Sequence, residues 1–205
     1  AELEAHAGHA LEPWDVAFHA EELRLRKFAI SDEELRPYFP LPRVLEGLFA
    51  LVGRLYGLHL EADGQVAVWH PTARFFRVLD SGGAPIGGLY MDLYARPEKR
   101  SGAWMDDCIS RKRLDGRLQL PVAHLVCNFA PPTATAPSLL SHDEVLTLFH
   151  EMGHALHHLL TRVDYPSISG IHGVPWDAVE LPSQFMEGFA WEPEILAMIS
   201  GHHES

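Results

Sequence analysis

The stretch SHDEVLTLFHEMGHALHHLL, residues 141–160, predicts one long amphipathic helix. Ser141 and Glu144 have the spacing of a capping box, in which each side chain accepts a hydrogen bond from the main-chain N–H of the other residue. Apolar residues follow at helical intervals and form a stripe: Val145, Leu148, Phe149, Met152, Leu156 and Leu159. Such a stripe has to be buried, so the rest of the fold must supply a surface for it to pack against.

The same helix carries the pattern H-E-x-x-H, with His150 and His154 four residues apart. Residues at this spacing share a helix face, so both imidazoles can bind one metal ion, at ~2.0–2.1 Å for zinc. Glu151 is badly placed to be a ligand but can reach a water on the metal, which makes it the predicted general base. The pattern also occurs by chance. In that case the two histidines are simply solvated or hydrogen-bonded and bind no metal.

A catalytic zinc needs a third protein ligand and leaves one position open for water. Glu180 lies thirty residues after His150, which allows a loop and a second helix to return its carboxylate to the metal. We therefore predict His150, His154 and Glu180 as ligands of one Zn²⁺ per chain. The metzincin pattern is excluded, because it needs a glycine and a histidine where this chain has His157 and Leu160.

Other polar residues leave alternatives open. Glu187 and Gln184, on the next predicted helix, are equal candidates to hydrogen-bond the second nitrogen of a ligand histidine. Asp143 is a further candidate, or only favours the helix N-terminus through the helix dipole. His157 is expected to pack rather than to bind metal. His172 lies in a glycine-rich loop, where neither a substrate contact nor a plain surface position is favoured.

The chain divides into three segments by the spacing of its apolar residues. Residues 1–57 form a predicted helical segment, and residues 58–130 a small β-rich subdomain with a mainly antiparallel sheet. Residues 131–205 form the zinc-binding helical segment, in which Pro193 should kink or interrupt the helical pattern of residues 177–200. The predicted fold class is therefore α+β and mainly helical.

Composition excludes several classes of protein. The chain has 28 acidic and 16 basic residues, and its net charge of −12 argues against nucleic acid as the main partner. Its two cysteines, Cys108 and Cys127, give neither a disulfide framework nor a cysteine-rich zinc module. No apolar stretch approaches the roughly 18 residues of a membrane span, and no targeting segment is evident. We therefore expect no membrane partner and a cytoplasmic location.

The residues around the motif resemble a known family. Residues 142–154 (HDEVLTLFHEMGH) and 179–187 (VELPSQFME) are similar to the thimet oligopeptidase family of zinc peptidases. The resemblance runs along the whole chain and includes residues 93–96 (LYAR) and 126–129 (VCNF).

Two further stretches look more like the oligopeptidase A branch of that family than its dipeptidyl carboxypeptidase branch. They are residues 104–107 (WMDD) and 173–178 (GVPWDA).

The resemblance implies a zincin-like, mostly helical lobe with a deep channel that admits short peptides and cleaves them internally. It implies the same ligands and the same base, Glu151, as the spacing argument does. It also implies an edge strand, at about residues 102–105, that pairs with the peptide substrate.

The resemblance further implies that the chain is a fragment of a larger catalytic domain. In the family, later helices supply a tyrosine and a histidine that bind the oxyanion. Tyr165 and His172 are therefore not assigned to those roles.

Three related functions remain open from the sequence. The chain belongs to a zinc-dependent endopeptidase of short oligopeptides, to a dipeptidyl carboxypeptidase of the same family, or it is a zinc-binding but catalytically inactive fragment. A non-metal helical interaction module would require both the H-E-x-x-H motif and Glu180 to be accidental. The oligomeric state does not follow from the sequence.

Overall fold

The computed structural model describes residues 1–29 and 31–205. Within them, seven α-helices accompany seven β-strands, so the predicted α+β class is confirmed. The helices are α1 (Glu2–Ala7), α2 (Val16–Phe28), α3 (Asp32–Leu35), α4 (Leu41–Tyr56), α5 (His142–Leu159), α6 (Leu181–Phe189) and α7 (Pro193–Ile199). The strands are β1 (His59–Ala62), β2 (Arg74–Leu79), β3 (Pro85–Tyr94), β4 (Trp104–Ile109), β5 (Lys112–Leu114), β6 (Arg117–Gln119) and β7 (Val122–Phe129). None of these helices is both long and apolar enough to span a membrane.

Five strands form one sheet in the order β1-β2-β3-β7-β4. Its pairings are antiparallel, as predicted, except that β3 and β7 run parallel, so the sheet is mixed. This pair needed a long crossover, because parallel strands cannot be joined by a tight turn. The chain supplies the crossover by forming the edge strand β4 and the β5–β6 hairpin before it returns to β7.

Helix α5 packs against β7 and buries the predicted apolar stripe. Phe149 and Met152 are fully buried on this face. The capping box that begins the helix is confirmed, because Ser141 Oγ accepts from the Glu144 N–H at 3.1 Å and Glu144 Oε2 accepts from the Ser141 N–H at 2.8 Å. Buried residues of α4, the sheet, α5, α6 and α7 form one core around this helix.

The first helices lie at the periphery of the molecule. Helices α1, α2 and α3 contain no buried residue, and α4 is the first helix to enter the core. Gly57 ends α4 in the left-handed conformation, with φ +67°, as a helix C-cap requires. The predicted segment boundaries after residues 57 and 130 fall between elements, and the division into three segments stays a prediction.

The last segment contains two helices where the apolar pattern ran from residue 177 to 200. Helix α6 begins only at Leu181, because Pro182 is tolerated in a first helical turn and not further inside. The interruption at Pro193 is confirmed, since this proline begins α7. The connection between α5 and α6, residues 160–180, returns the chain so that the start of α6 lies beside the middle of α5.

Candidate metal centre

His150 and His154 lie one turn apart on α5, with ring centroids separated by 4.9 Å. The Nε2 atoms of both rings approach Oε2 of Glu180, at 3.1 and 3.0 Å. One donor atom from each of the three residues lies within 4.8 Å of the other two. The structure therefore brings the three predicted ligands, hereafter the metal centre, into one cluster, while zinc binding by them stays a prediction.

Glu180 is the N-cap residue of α6, and the first turn of that helix holds it in place. The Ser183 hydroxyl lies 2.9 Å from the main-chain oxygen of Glu180 and 2.8 Å from its Oε2. The hydrogen bond from Ser183 is the largest cause of the lowered pKa of Glu180, and the two histidines lower this pKa further. Burial acts in the opposite direction. The carboxylate is thus kept ionised, as a metal ligand must be.

The close approach of α6 to α5 depends on Gly153, the second free position of the H-E-x-x-H motif. A Cβ atom at this position would lie 2.6 Å from the Ser183 Cα and would also overlap the Pro182 carbonyl oxygen. Real Cβ atoms do not approach main-chain atoms so closely. The absence of a side chain at Gly153 therefore lets α6 carry Glu180 to the histidines.

Glu187, two turns along α6 from Glu180, contacts the other nitrogen of His150. The distance from His150 Nδ1 to Glu187 Oε1 is 2.5 Å. A carboxylate here accepts a hydrogen bond from the Nδ1–H group and leaves Nε2 free to bind a metal. Gln184, the equal candidate from sequence, is exposed and has no side-chain hydrogen bond within the described residues. The structure therefore assigns the orienting contact to Glu187.

Glu151 follows His150 on α5 and is only 7% exposed. Burial raises the pKa of Glu151, and the nearby His150 and the main-chain amide of Met105 oppose that shift. Burial also lowers the pKa of His154, which the Glu180 carboxylate opposes. The centre thus combines a proton-accepting carboxylate with a histidine biased toward the neutral, metal-binding form.

The edge of the sheet beside Glu151 is strand β4, which pairs only with β7 among the described strands. The predicted edge at residues 102–105 is confirmed at Trp104 and Met105, and it extends to Ile109. The fully buried His158 on α5 fixes this strand, because its Nε2 donates to the Ile109 carbonyl oxygen at 3.0 Å.

Two side chains tie the segment just before β4 to the neighbouring strands. Asn128 Nδ2 donates to the carbonyl oxygens of Arg100 and Gly102, at 2.8 and 2.6 Å. The buried Lys99 ammonium donates to three main-chain oxygens: those of Asp92, Tyr94 and Cys127. These contacts tie the segment before the edge strand to β3 and β7.

The remaining candidates lie outside the three-donor cluster. His157 and Gly153 both line a cavity of about 690 Å³, and the Nδ1 of His157 is buried without a partner in the described residues. His172 lines the same cavity and contacts Asp107 on β4, with 3.0 Å from Nε2 to Oδ2. Asp143 is exposed in the first turn of α5, which agrees with the dipole alternative. Tyr165 is 72% exposed.

Two residues that matter to this geometry were missed from the sequence. The H-E-x-x-H motif leaves position 153 free, although a glycine inside a strong helix lowers helix stability and so indicates a close contact. No motif points to Ser183, although a hydroxyl three residues after a predicted ligand can reach back to that ligand within one helical turn. The contact between Gly153 and Ser183 can be predicted only when it is known that α5 and α6 pack against each other.

Comparison with known proteins identifies the family. The sequence profile of peptidase family M3 matches residues 1–205. The chain belongs to peptidase family M3. The oligopeptidases A of Salmonella typhimurium and Escherichia coli are each 56% identical over 196 residues, which are 95% of this chain and 29% of theirs. The dipeptidyl carboxypeptidase of Escherichia coli is 39% identical over 199 residues, which are 97% of this chain and 29% of that protein.

These matches confirm the family resemblance inferred from the motifs. The higher identity to oligopeptidase A than to dipeptidyl carboxypeptidase agrees with the predicted branch. The chain spans 29% of the length of these relatives.

Proposed function

We propose that this M3-family chain holds the zinc centre of a metallopeptidase that hydrolyses short oligopeptides at internal peptide bonds. The observation that carries the proposal is the convergence of two imidazole Nε2 atoms and one carboxylate oxygen within 4.8 Å, next to a buried Glu151. Two histidines and a glutamate form the ligand set of many catalytic zinc sites and leave one coordination position open.

The residues present fit a zinc ion. Glu187 accepts a hydrogen bond from the Nδ1–H group of His150, so that Nε2 is available to the metal. Burial favours the neutral form of His154 by lowering its pKa, and the lowered pKa of Glu180 keeps that ligand ionised. Burial at His154 and the hydrogen bond to Glu180 therefore favour the forms of these two residues that bind metal.

When bound, zinc supplies the Lewis acidity that makes water a nucleophile near neutral pH. Glu151 takes the proton of the attacking water and passes it to the nitrogen of the departing amine. Its burial beside β4 suits this role, because a carboxyl group with a raised pKa holds the proton between the two steps. The main-chain groups of the free edge of β4 bind the peptide backbone in an extended conformation.

The experiment measures zinc content by elemental analysis and cleavage of a quenched fluorescent oligopeptide with and without a chelator. We expect chelator-sensitive cleavage that Glu151→Gln removes while zinc is kept, and loss of one zinc per chain in Glu180→Ala. Internal cleavage products support an endopeptidase, whereas stepwise release of C-terminal dipeptides identifies a dipeptidyl carboxypeptidase.

Two results would overturn the proposal at different levels. Zinc that is bound without any cleavage supports the ligands but assigns the chain to the catalytically inactive alternative. A folded chain that keeps all of its zinc in Glu180→Ala contradicts the ligand assignment itself.

A further inference from the structure

A second cluster of metal-binding side chains lies at the other end of the chain, on α1 and α2. It contains His6 from α1 and His19 and Glu22 from α2, and we call it the N-terminal cluster. One donor atom from each residue lies within 4.8 Å of the other two, as in the metal centre. His19 and Glu22 are three residues apart and so share one face of α2.

We propose that the N-terminal cluster is a second zinc site, which ties α1 to α2. The distances suit a small tetrahedral ion. Glu22 Oε2 lies 3.0 Å from His19 Nδ1 and 3.7 Å from His6 Nε2. Bonds of ~2.0–2.1 Å in a tetrahedral site place neighbouring donor atoms about 3.4 Å apart, which lies between these two values.

The chemistry of the donors points to the same class of ion. Two imidazole nitrogens and one carboxylate oxygen suit zinc, whereas calcium and magnesium prefer all-oxygen sites. The side chains of His6 and His19 are 10% and 16% exposed, and Glu22 at 48% leaves access from solvent. An ion can therefore enter, and a water can complete the coordination.

One neighbouring cation has to move when the metal binds. Arg26 Nη1 lies 3.4 Å from His6 Nδ1, which must carry a proton once Nε2 binds the ion. This contact is long and Arg26 is an exposed residue, so its side chain can turn into solvent. Lys27 is already occupied by an ion pair with Glu2, which also joins α2 to α1.

The scaffold gives the ion a structural role. Helix α1 has only six residues, and neither α1 nor α2 contains a buried residue. Helices shorter than about 12–15 residues are marginal in water without tertiary packing. A metal bridge between His6 and His19 supplies a cross-link where the core supplies none, so that ion binding and ordering of the helix pair are coupled.

The test uses the whole chain, stripped of metal and titrated with Zn²⁺ by calorimetry. The wild-type chain is expected to bind two zinc ions. The variant His154→Ala, in which the metal centre is disabled, is expected to bind one. Adding His19→Ala or Glu22→Ala to His154→Ala should weaken the remaining site at least about tenfold, since even residues that only orient a ligand are worth 10–100-fold. His59→Ala, which removes an exposed histidine of β1 outside both clusters, is the matched control and should leave zinc binding unchanged.

Hydrogen exchange supplies a second readout. In His154→Ala, zinc should slow amide exchange in α1 and α2, and this protection should disappear when His19 is also replaced. The substituted residues lie outside the core, so the variants are expected to fold. A His154→Ala chain that binds no zinc in the micromolar range, or binds it equally well without His19 and Glu22, would overturn the proposal. Neither result would affect the assignment of the metal centre.

Discussion

The metal centre and the N-terminal cluster each combine two imidazoles with one carboxylate, but they differ in what surrounds these donors. At the metal centre, the histidines lie on an 18-residue helix packed on the sheet, and the carboxylate is held by Ser183. At the N-terminal cluster, the donors lie on two helices without a buried residue. The surrounding protein therefore holds the three donors of the metal centre in place, while the N-terminal cluster would be organised by the ion that we propose for it.

The second difference is chemical. The residue after His150 is the buried Glu151, whereas the residue after His19 is Ala20. Among the described residues of the two clusters, a buried carboxylate directly follows a ligand histidine at the metal centre and not at the N-terminal cluster. A set of ligands is therefore sufficient for metal binding, whereas catalysis also depends on the residues next to the ligands.

The largest expected effect tests the proton acceptor. In the active peptidase, Glu151→Gln should lower turnover by about 10²–10⁴-fold, because an amide cannot accept the proton of the attacking water. Zinc content should stay unchanged, because Glu151 is not a ligand. Peptide cleavage and elemental analysis check both parts. Glu46→Gln, on an exposed position of α4, is the control and should keep full activity; equal activity in both variants would remove Glu151 from the mechanism.

The next effect tests the packing that organises the metal centre. Gly153→Ala should destabilise the chain by about 1–3 kcal/mol and weaken zinc binding at the metal centre, because its methyl group overlaps the start of α6. Gly188→Ala, on α6 with no atom within 4 Å of its Cβ position, should be neutral or stabilising by up to about 1 kcal/mol. Urea unfolding of both variants gives the comparison, and equal stabilities would contradict the packing argument.

A smaller effect tests the orientation of His150. Glu187→Ala should weaken zinc binding at the metal centre by about 10–100-fold, because the imidazole loses the acceptor that fixes its tautomer. Gln184→Ala, one turn away and exposed, should leave the affinity unchanged. Competition with a chromogenic chelator measures both affinities. If both variants bind zinc like the wild type, the contact has no orienting role.

The smallest effect tests the hydroxyl that holds Glu180. Ser183→Ala should weaken zinc binding by roughly fivefold, equivalent to about 1 kcal/mol, because Glu180 is half exposed and water partly replaces the lost hydrogen bond. Ser169→Ala removes a buried hydroxyl that has no partner within the described residues, so it should not affect the affinity. A larger loss in Ser169→Ala than in Ser183→Ala would contradict this ranking.

Much of the local structure was predictable because it follows from residue spacing. The Ser141–Glu144 capping box, the Gly57 helix end and the interruption at Pro193 each depend on residues within one or two turns. The approach of Glu180 to the histidines was predictable for a different reason, since the chemistry of zinc demands a third ligand and few residues qualified.

Long-range pairings were not predictable in the same way. The parallel β3–β7 pair depends on a crossover between residues 94 and 122, which no local pattern encodes. The choice of Glu187 over Gln184 depends on the rotation of α6 relative to α5. The N-terminal cluster joins residues 6 and 19 across a turn, so it became evident only from the structure.

The most direct test of the account is the zinc content of the wild-type chain compared with that of Glu180→Ala, after dialysis against metal-free buffer. Circular dichroism must first establish that both chains are folded. The account predicts that the variant retains one zinc ion fewer per chain than the wild type. Equal zinc content in the two folded chains would contradict the assignment of His150, His154 and Glu180 as the metal centre.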